Sequence, residues 1–267
     1  MQDFEGKVAV ITGGASGIGF GMAEQFAAAG MTVVLADIDE EALPEAESSL
    51  AERGASALGV PVDVADPDQV EELARRVLAE FGAVHVLCNN AGINSPDGPI
   101  WEVSQEDWAR VIDINMRGVI HGIQTFLPHM LGQDSEGHIV NTASAAGLGS
   151  RPGISPYVAT KHAVIALTES LHHDLHAADS KLRASVLCPG RIRTPMMAAH
   201  LERAGQDVEE AAAGYLLPRQ VGELVLEAIR EERFYILTHP EGEKDRVKGA
   251  ADDILLGRNP THSPPIH

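Results

Sequence analysis

Tyr157 and Lys161 stand one helical turn apart in the run Tyr-Val-Ala-Thr-Lys, with Ser144 upstream of them. Side chains at i and i+4 reach the same side of a helix. A free phenol has a pKa of about 10 and is a poor base at neutral pH. A neighbouring ammonium favours the phenolate and draws that pKa toward the working range. A hydroxyl such as Ser144 could then hold a substrate oxygen by a hydrogen bond. A Tyr-x-x-x-Lys pair arises by chance on many helices, so its surroundings decide what it means.

The elements that must position these residues follow a regular rhythm. Apolar runs read as strands at Lys7–Ile11, Thr32–Ala36, Ala57–Val62, Val84–Cys88, His138–Thr142, Arg183–Cys188 and Phe234–Leu237. Amphipathic runs between them read as helices at Gly17–Ala29, Glu40–Arg53, Pro67–Phe81, Gln105–Leu131, Ser155–Ala177 and Pro218–Glu231. Strict β-α alternation with near-continuous apolar strands predicts an α/β fold, a seven-stranded parallel sheet covered on both faces. Right-handed crossovers make it doubly wound, with ligands at the carboxyl ends of the strands. No composition shift marks a second domain, so residues 1–240 are expected to form one catalytic domain with a substrate lid at 194–217. Residues 241–267 read as a C-terminal tail with a mobile, Pro-rich end.

A dinucleotide site is expected along those strand ends. Thr12-Gly13-Gly14-Ala15-Ser16-Gly17-Ile18-Gly19 follows the first strand and opens a helix. Gly13, Gly17 and Gly19, with Ser16 and Ile18, would let a pyrophosphate approach the backbone at the helix N-terminus. Asp37, followed by Ile38, ends the second strand, where a carboxylate can accept hydrogen bonds from ribose hydroxyls and repel the extra phosphate of NADP. Between Gly13 and Arg53 there is no Lys or Arg to offset that repulsion, so NAD is the favoured cofactor. Asp63 and Val64 end the third strand, at the adenine edge. Asn89-Asn90-Ala91-Gly92 ends the fourth, where small and amide residues would let the cofactor lie flat.

Composition narrows the partners. The formal charge of −19 argues against nucleic acid or an anionic membrane held on a basic surface, but leaves a backbone-built phosphate site open. Cys88 and Cys188, the two cysteines, each end a strand and fit a reducing compartment. Met1 leads within a few residues into the first strand, leaving no room for a signal peptide, and no apolar stretch nears the ~20 residues that cross a bilayer. The expectation is a cytoplasmic protein with a small-molecule substrate.

The set as a whole resembles the short-chain dehydrogenase/reductase family over roughly residues 5 to 240. The matching pieces are Thr12–Gly19, Asn89–Gly92, Asn115, Ser144, Tyr157 with Lys161, and Pro189-Gly190 followed by Thr194. The resemblance implies that Tyr157 is the general base in alcohol oxidation and the general acid in reduction. It implies that Lys161 lowers the Tyr157 pKa and holds the nicotinamide ribose, and that Ser144 orients the substrate oxygen. Asn115, on a long fifth helix, would fix a water linking Lys161 to solvent. Pro189, Gly190, the Ile192 backbone and the Thr194 hydroxyl would contact the nicotinamide carboxamide. The family usually pairs its fifth and sixth helices across a two-fold axis, which implies a homotetramer.

Specificity is expected from three segments: Thr194–Leu217, Ile93–Trp101 and Ala145–Ser155. Met196, Met197, Leu201, Leu148 and Ile154 suggest an apolar pocket for a hydrophobic or aryl secondary alcohol. Arg151, Arg191 and Arg193 leave open a basic contact. The strings from Gly13 to Ala23 and from Asn141 to Gly147 look like family members acting on lignin-type aryl alcohols. His162, His172, His173 and His176 share one helix, but no acid or cysteine set with ligand spacing accompanies them, so no metal is expected. Two rival readings are an NADPH-type carbonyl or 3-oxoacyl reductase, which Asp37 disfavours, and a non-catalytic NAD-binding sensor, which the intact Ser144, Tyr157 and Lys161 disfavour.

Overall fold

The computed structural model describes residues 1–261. Its order is β1 Val8–Thr12, α1 Gly17–Ala28, β2 Thr32–Asp37, α2 Ala42–Ala51, β3 Ala57–Pro61, α3 Pro67–Phe81 and β4 Val86–Asn89. Then come α4 Gln105–Ile112, a π turn at Asp113–Arg117, α5 Gly118–Gly132 and β5 Gly137–Thr142. A 3-10 turn at Ala145–Gly147, α6 Ser155–Ala177 and β6 Leu182–Cys188 follow. The chain ends with α7 Pro195–Arg203, α8 Val208–Ala211, α9 Pro218–Glu231, β7 Tyr235–Leu237 and α10 Pro240–Leu255.

All seven strands are parallel, in the order β3-β2-β1-β4-β5-β6-β7. Strand β1 pairs with both β2 and β4, so the order reverses there and the strand ends splay into a crevice. Strand side chains alternate between two cores. Ala9, Ile11, Val33 and Leu35 face the layer of Phe26, Val221 and Val225, while Val8, Val10, Val34 and Ala36 face Leu73, Val77, Phe126 and Leu171. That two-residue period is what a sheet buried on both faces requires. Helices α1 and α9 cross backbone to backbone: a Cβ added to Gly21 would come within 2.3 Å of the Pro218 carbonyl oxygen.

Local signals explain the sharpest boundaries. In α3 the Asp66 carboxylate accepts from the Asp68 amide, Pro67 occupies the first turn, and Gly82 closes the helix at φ +76°. Helix α6 runs over Ser155–Ala177 and α9 over Pro218–Glu231, both as expected and both with proline in the first turn. The expected helix Gln105–Leu131 is instead two helices joined by the π turn, which carries Asn115. The expected lid at 194–217 contains α7 and α8, and its base is tied by a bridge between Ile192 and Leu216.

The largest difference lies after residue 240. The segment read as a tail forms α10, and its buried residues are Glu243, Arg246 and Asp253. Its apolar residues Val247, Ile254 and Leu255 face outward instead. An apolar-periodicity reading finds no buried stripe in such a helix, because its inward face is made of charges. Part of the Pro-rich end, residues 262–267, lies outside the described residues.

Candidate active site

A cleft of about 730 Å³ opens along the carboxyl ends of β1 to β6. That size suits a bound small molecule. Its first wall is the turn after β1. Gly13, at φ +64°, sits so close to the turn after β4 that an added Cβ would lie 3.0 Å from the Ala91 Cα. Thr12 locks the two turns together: its hydroxyl accepts from the Asn90 and Ala91 amides at 2.9 and 3.1 Å. The Asn90 side chain returns the contact by donating to the Thr12 carbonyl at 3.0 Å. Ser16, Gly17 and Ile18 line the cleft at the start of α1, where the unpaired first-turn amides of a helix favour an anion. Gly19 does not line it. It packs beneath the turn, where a Cβ would overlap the Gly13 carbonyl.

Asp37 closes the far end. Its carboxylate accepts from the Ala15 amide at 3.0 Å and from the Asp39 amide at 3.1 Å, so the glycine turn itself orients it. Ile38 flanks it and is 67% exposed. Asp63 and Val64 form the adjoining edge. The Asp63 carboxylate accepts from the Ala65 amide at 2.9 Å, and the Val64 carbonyl accepts from His121 Nδ1 at 2.9 Å. Asn90, Ala91 and Gly92 make the floor. A glycine-lined turn, a helix N-terminus and a carboxylate at the end of β2 fit an adenine dinucleotide.

At the other end Ser144, Tyr157 and Lys161 meet. A chain of buried amides sets the height of α6 against the sheet. Asn89 donates to Asn141 at 2.9 Å, Asn141 donates to Thr168 on α6 at 3.0 Å, and Thr168 donates to the Val164 carbonyl at 2.6 Å. The Lys161 ammonium is 3% exposed and donates to the Thr142 carbonyl at 2.9 Å. It stands over the Tyr157 ring, 5.6 Å from its centre. Burial lowers the Lys161 pKa to about 8.

The expected fall of the Tyr157 pKa does not follow from this arrangement. Burial pushes the phenol above its ordinary range, while the Ser144 hydroxyl and the Arg151 charge pull the other way. Desolvation penalises the phenolate more than these neighbours favour it. Ser144 itself accepts from the Ala146 amide at 3.1 Å and donates to the Pro189 carbonyl at 3.4 Å.

Asn115 lies behind the cleft and is fully buried. Its amide pairs with both backbone groups of Ile93, accepting from the nitrogen at 2.8 Å and donating to the oxygen at 2.9 Å. The π turn thus fixes the strand end that carries Gly92, where an added Cβ would lie 3.1 Å from the Asn115 oxygen and 3.4 Å from Lys161 Nζ.

Pro189, Gly190, Ile192 and Thr194 form the opposite wall. Thr194 caps α7 by accepting from the Met197 amide at 3.2 Å. The Gly190 amide donates to Thr238 at 2.8 Å, and the Glu243 carboxylate on α10 accepts from the His239 amide at 3.1 Å. Met196, Met197, Leu201 and Ile154 line the lid side as expected, but Leu148 turns away and packs with Val119, Val164 and Ile165.

Sequence reasoning missed Arg246 altogether. Its guanidinium, on α10, lines the cleft and donates to the Ala145 carbonyl at 3.5 Å. Thr142, Tyr215 and His200 were also missed. A signal existed for Thr142, at the end of β5 beside Ser144, but none for a charged residue beyond the last strand. Among the described residues no three His, Cys, Asp or Glu side chains gather closely enough to hold a metal ion.

The fold and this cleft define a dinucleotide-binding α/β protein, and the chain belongs to the short-chain dehydrogenases, whose family profile matches residues 7–205. It is 36% identical over 249 residues to a 1-deoxy-11-beta-hydroxypentalenate dehydrogenase of Streptomyces exfoliatus, covering 93% of this chain and 88% of that one. It is 34% identical to a C alpha-dehydrogenase of a Sphingobium species, covering 90% and 83% of the two chains. The crystal structure of a short-chain dehydrogenase/reductase from Burkholderia phymatum in complex with NAD superposes with a TM-score of 0.90. It shares 45% identity and covers 100% of both chains. The protein is therefore an oxidoreductase acting on hydroxyl or keto substrates.

Proposed function

We propose that this protein interconverts a hydrophobic secondary alcohol and its ketone with NAD as cofactor. The observation that carries the reading is one cleft holding Asp37 at one end and Ser144, Tyr157 and Lys161 at the other. Gly13, Ser16, Gly17 and Ile18 would hold the pyrophosphate, and Asp37 the adenosine ribose. Lys161 and the segment from Pro189 to Thr194 would hold the nicotinamide half. When bound, NAD supplies the acceptor for hydride from the carbinol carbon.

The remaining chemistry falls to this chain. Ser144 donates to the substrate oxygen and holds it against Tyr157. Tyr157 removes the hydroxyl proton in oxidation and returns one in reduction. Lys161, 5.6 Å from the centre of the Tyr157 ring, would hold a positive charge beside the phenol below about pH 8. Asn115 acts through Ile93 and Gly92 as a positioning residue. Alcohol oxidation releases a proton, so reduction is favoured near neutrality and oxidation in alkali.

The same reading has three further parts. Two buried cysteines, Cys88 and Cys188, carry free thiols, which suits the cytoplasm. Helices α5 and α6 are the surfaces we assign to pairing in a homotetramer, and light scattering at working concentration tests this. The catalytic unit runs from β1 through α10, with α7 and α8 as the lid.

The direct test is NADH formation by the purified protein with secondary alcohols, from small aliphatic to aryl and steroid-like, repeated with NADP. Turnover with NAD at least about tenfold faster than with NADP is the expected result. Tight NADH binding with every alcohol and ketone left unchanged would contradict the reading.

A further inference from the structure

We infer that Thr238, which stands behind the cleft, is a positioning residue. Its hydroxyl sets the Pro189–Gly190 peptide, and through that peptide both the nicotinamide wall and the Ser144 hydroxyl. This deepens the proposed function and rests on it for which half of the cofactor meets Gly190.

Strands β6 and β7 run in parallel register, with Cys188 opposite Leu237, and the Val186 amide donates to the Phe234 carbonyl at 2.8 Å. Carried on along both strands, that ladder would bring the Gly190 amide to the Thr238 carbonyl. The amide goes instead to the Thr238 hydroxyl, at 2.8 Å. The last rung of the sheet is therefore a side chain, and its geometry depends on which residue stands at 238.

That rung holds one end of a single peptide plane. The Pro189 carbonyl, at the other end, accepts from the Ala145 amide at 2.8 Å and from the Ser144 hydroxyl at 3.4 Å. Thr238 and Ser144 thus grip the same rigid unit from opposite ends. A tilt of the plane would move the Ser144 acceptor together with Gly190, which lines the cleft.

Thr238 is itself held in place. It is buried, and its β-branched side chain is stiff at the first torsion. Its hydroxyl donates to Glu243 Oε1 at 3.5 Å, and His239 Nδ1 stands 2.8 Å from it. Glu243 is fully buried, and its other oxygen accepts from the His239 amide at 3.1 Å, which fastens the neighbour of Thr238. The His239 ring closes over the turn: a Cβ added to Gly190 would lie 2.4 Å from its Nδ1. Neither Thr238 nor Glu243 is among the described residues that line the cleft, so both act through the peptide.

The test compares NADH with ADP-ribose, which keeps the adenosine and pyrophosphate but lacks nicotinamide. Calorimetry gives both affinities for the wild type, Thr238→Val and Thr238→Ser. In Thr238→Val the Gly190 amide loses its acceptor, so NADH should bind about tenfold more weakly while ADP-ribose binds as before. Thr238→Ser keeps the hydroxyl and should recover most of the NADH affinity. For any alcohol the enzyme turns over, kcat should follow the same order with KM nearly unchanged. Should Thr238→Val fail to fold, Thr238→Ala carries the comparison, with a smaller but still NADH-selective loss because a water can reach the Gly190 amide. Equal weakening of both ligands would mark Thr238 as structural only and overturn the inference. So would unchanged NADH affinity. A wild type that bound NADH but left every alcohol and ketone unchanged would contradict the proposed function, and the ratio of the two affinities would still decide this inference.

Discussion

Helices α6 and α10 both send a buried cation into one cleft, yet they are built on opposite plans. Helix α6 packs an apolar face, with Val164, Leu171 and Leu175 inside, and hides Lys161 among them. Helix α10 buries Glu243, Arg246 and Asp253 and turns Ile254 and Leu255 to the outside. The first is held by packing and by the amide chain from Asn89 to Thr168; the second by the Glu243 carboxylate, which accepts from the Thr238 hydroxyl and the His239 amide. The difference divides their parts in the proposed reaction: α6 would carry the proton chemistry, and α10 would steady the Pro189–Gly190 turn through Thr238 and His239.

The division can be broken first at α6. Tyr157→Phe should lower kcat by about a thousandfold or more while NADH binding, followed by fluorescence, stays nearly intact. Retention of most activity would remove Tyr157 from the proton step.

At α10 the effect should appear in stability. Burial raises the Glu243 pKa to about 7 from an ordinary 4.5. The folded protein therefore keeps a proton that the unfolded chain releases, so this group's contribution falls as pH rises from 4.5 to about 7. The loss is at most on the order of 3 kcal/mol. Glu243→Gln should flatten the fall in thermal midpoint over that window, and superimposable curves would refute the assignment.

A smaller change should follow at the root of α6. Thr168→Val leaves the Asn141 amide without its acceptor and should cost about 1–3 kcal/mol by chemical denaturation. The least effect is a displacement: Arg151→Met removes a charge that favours the phenolate, so the alkaline rise of oxidation should move to higher pH.

The same contrast explains what the sequence made legible. The sheet and helices α3, α6 and α9 were readable because apolar periodicity and proline-marked starts coincide in them. The glycine turn, Asp37, Ser144, Tyr157 and Lys161 were readable because each sits next to a strand end or on an amphipathic helix. The π turn at Asp113–Arg117 was hidden, since its i to i+5 backbone bonding has no residue-type signature of its own. Helix α10 and Arg246 were hidden because charges occupy the buried face. The opposing pull of burial on Tyr157 was not legible, because residue spacing shows that Lys161 is near but not how deeply both are desolvated.

The most direct test of the central claim is the pH dependence of kcat/KM for alcohol oxidation with NAD, in the wild type and in Tyr157→Phe. A buried phenol acting as the base predicts a wild-type rate that climbs about tenfold per pH unit from neutrality upward, and a variant whose residual rate lacks that climb. A flat wild-type profile, or the same climb in the variant, would contradict the account.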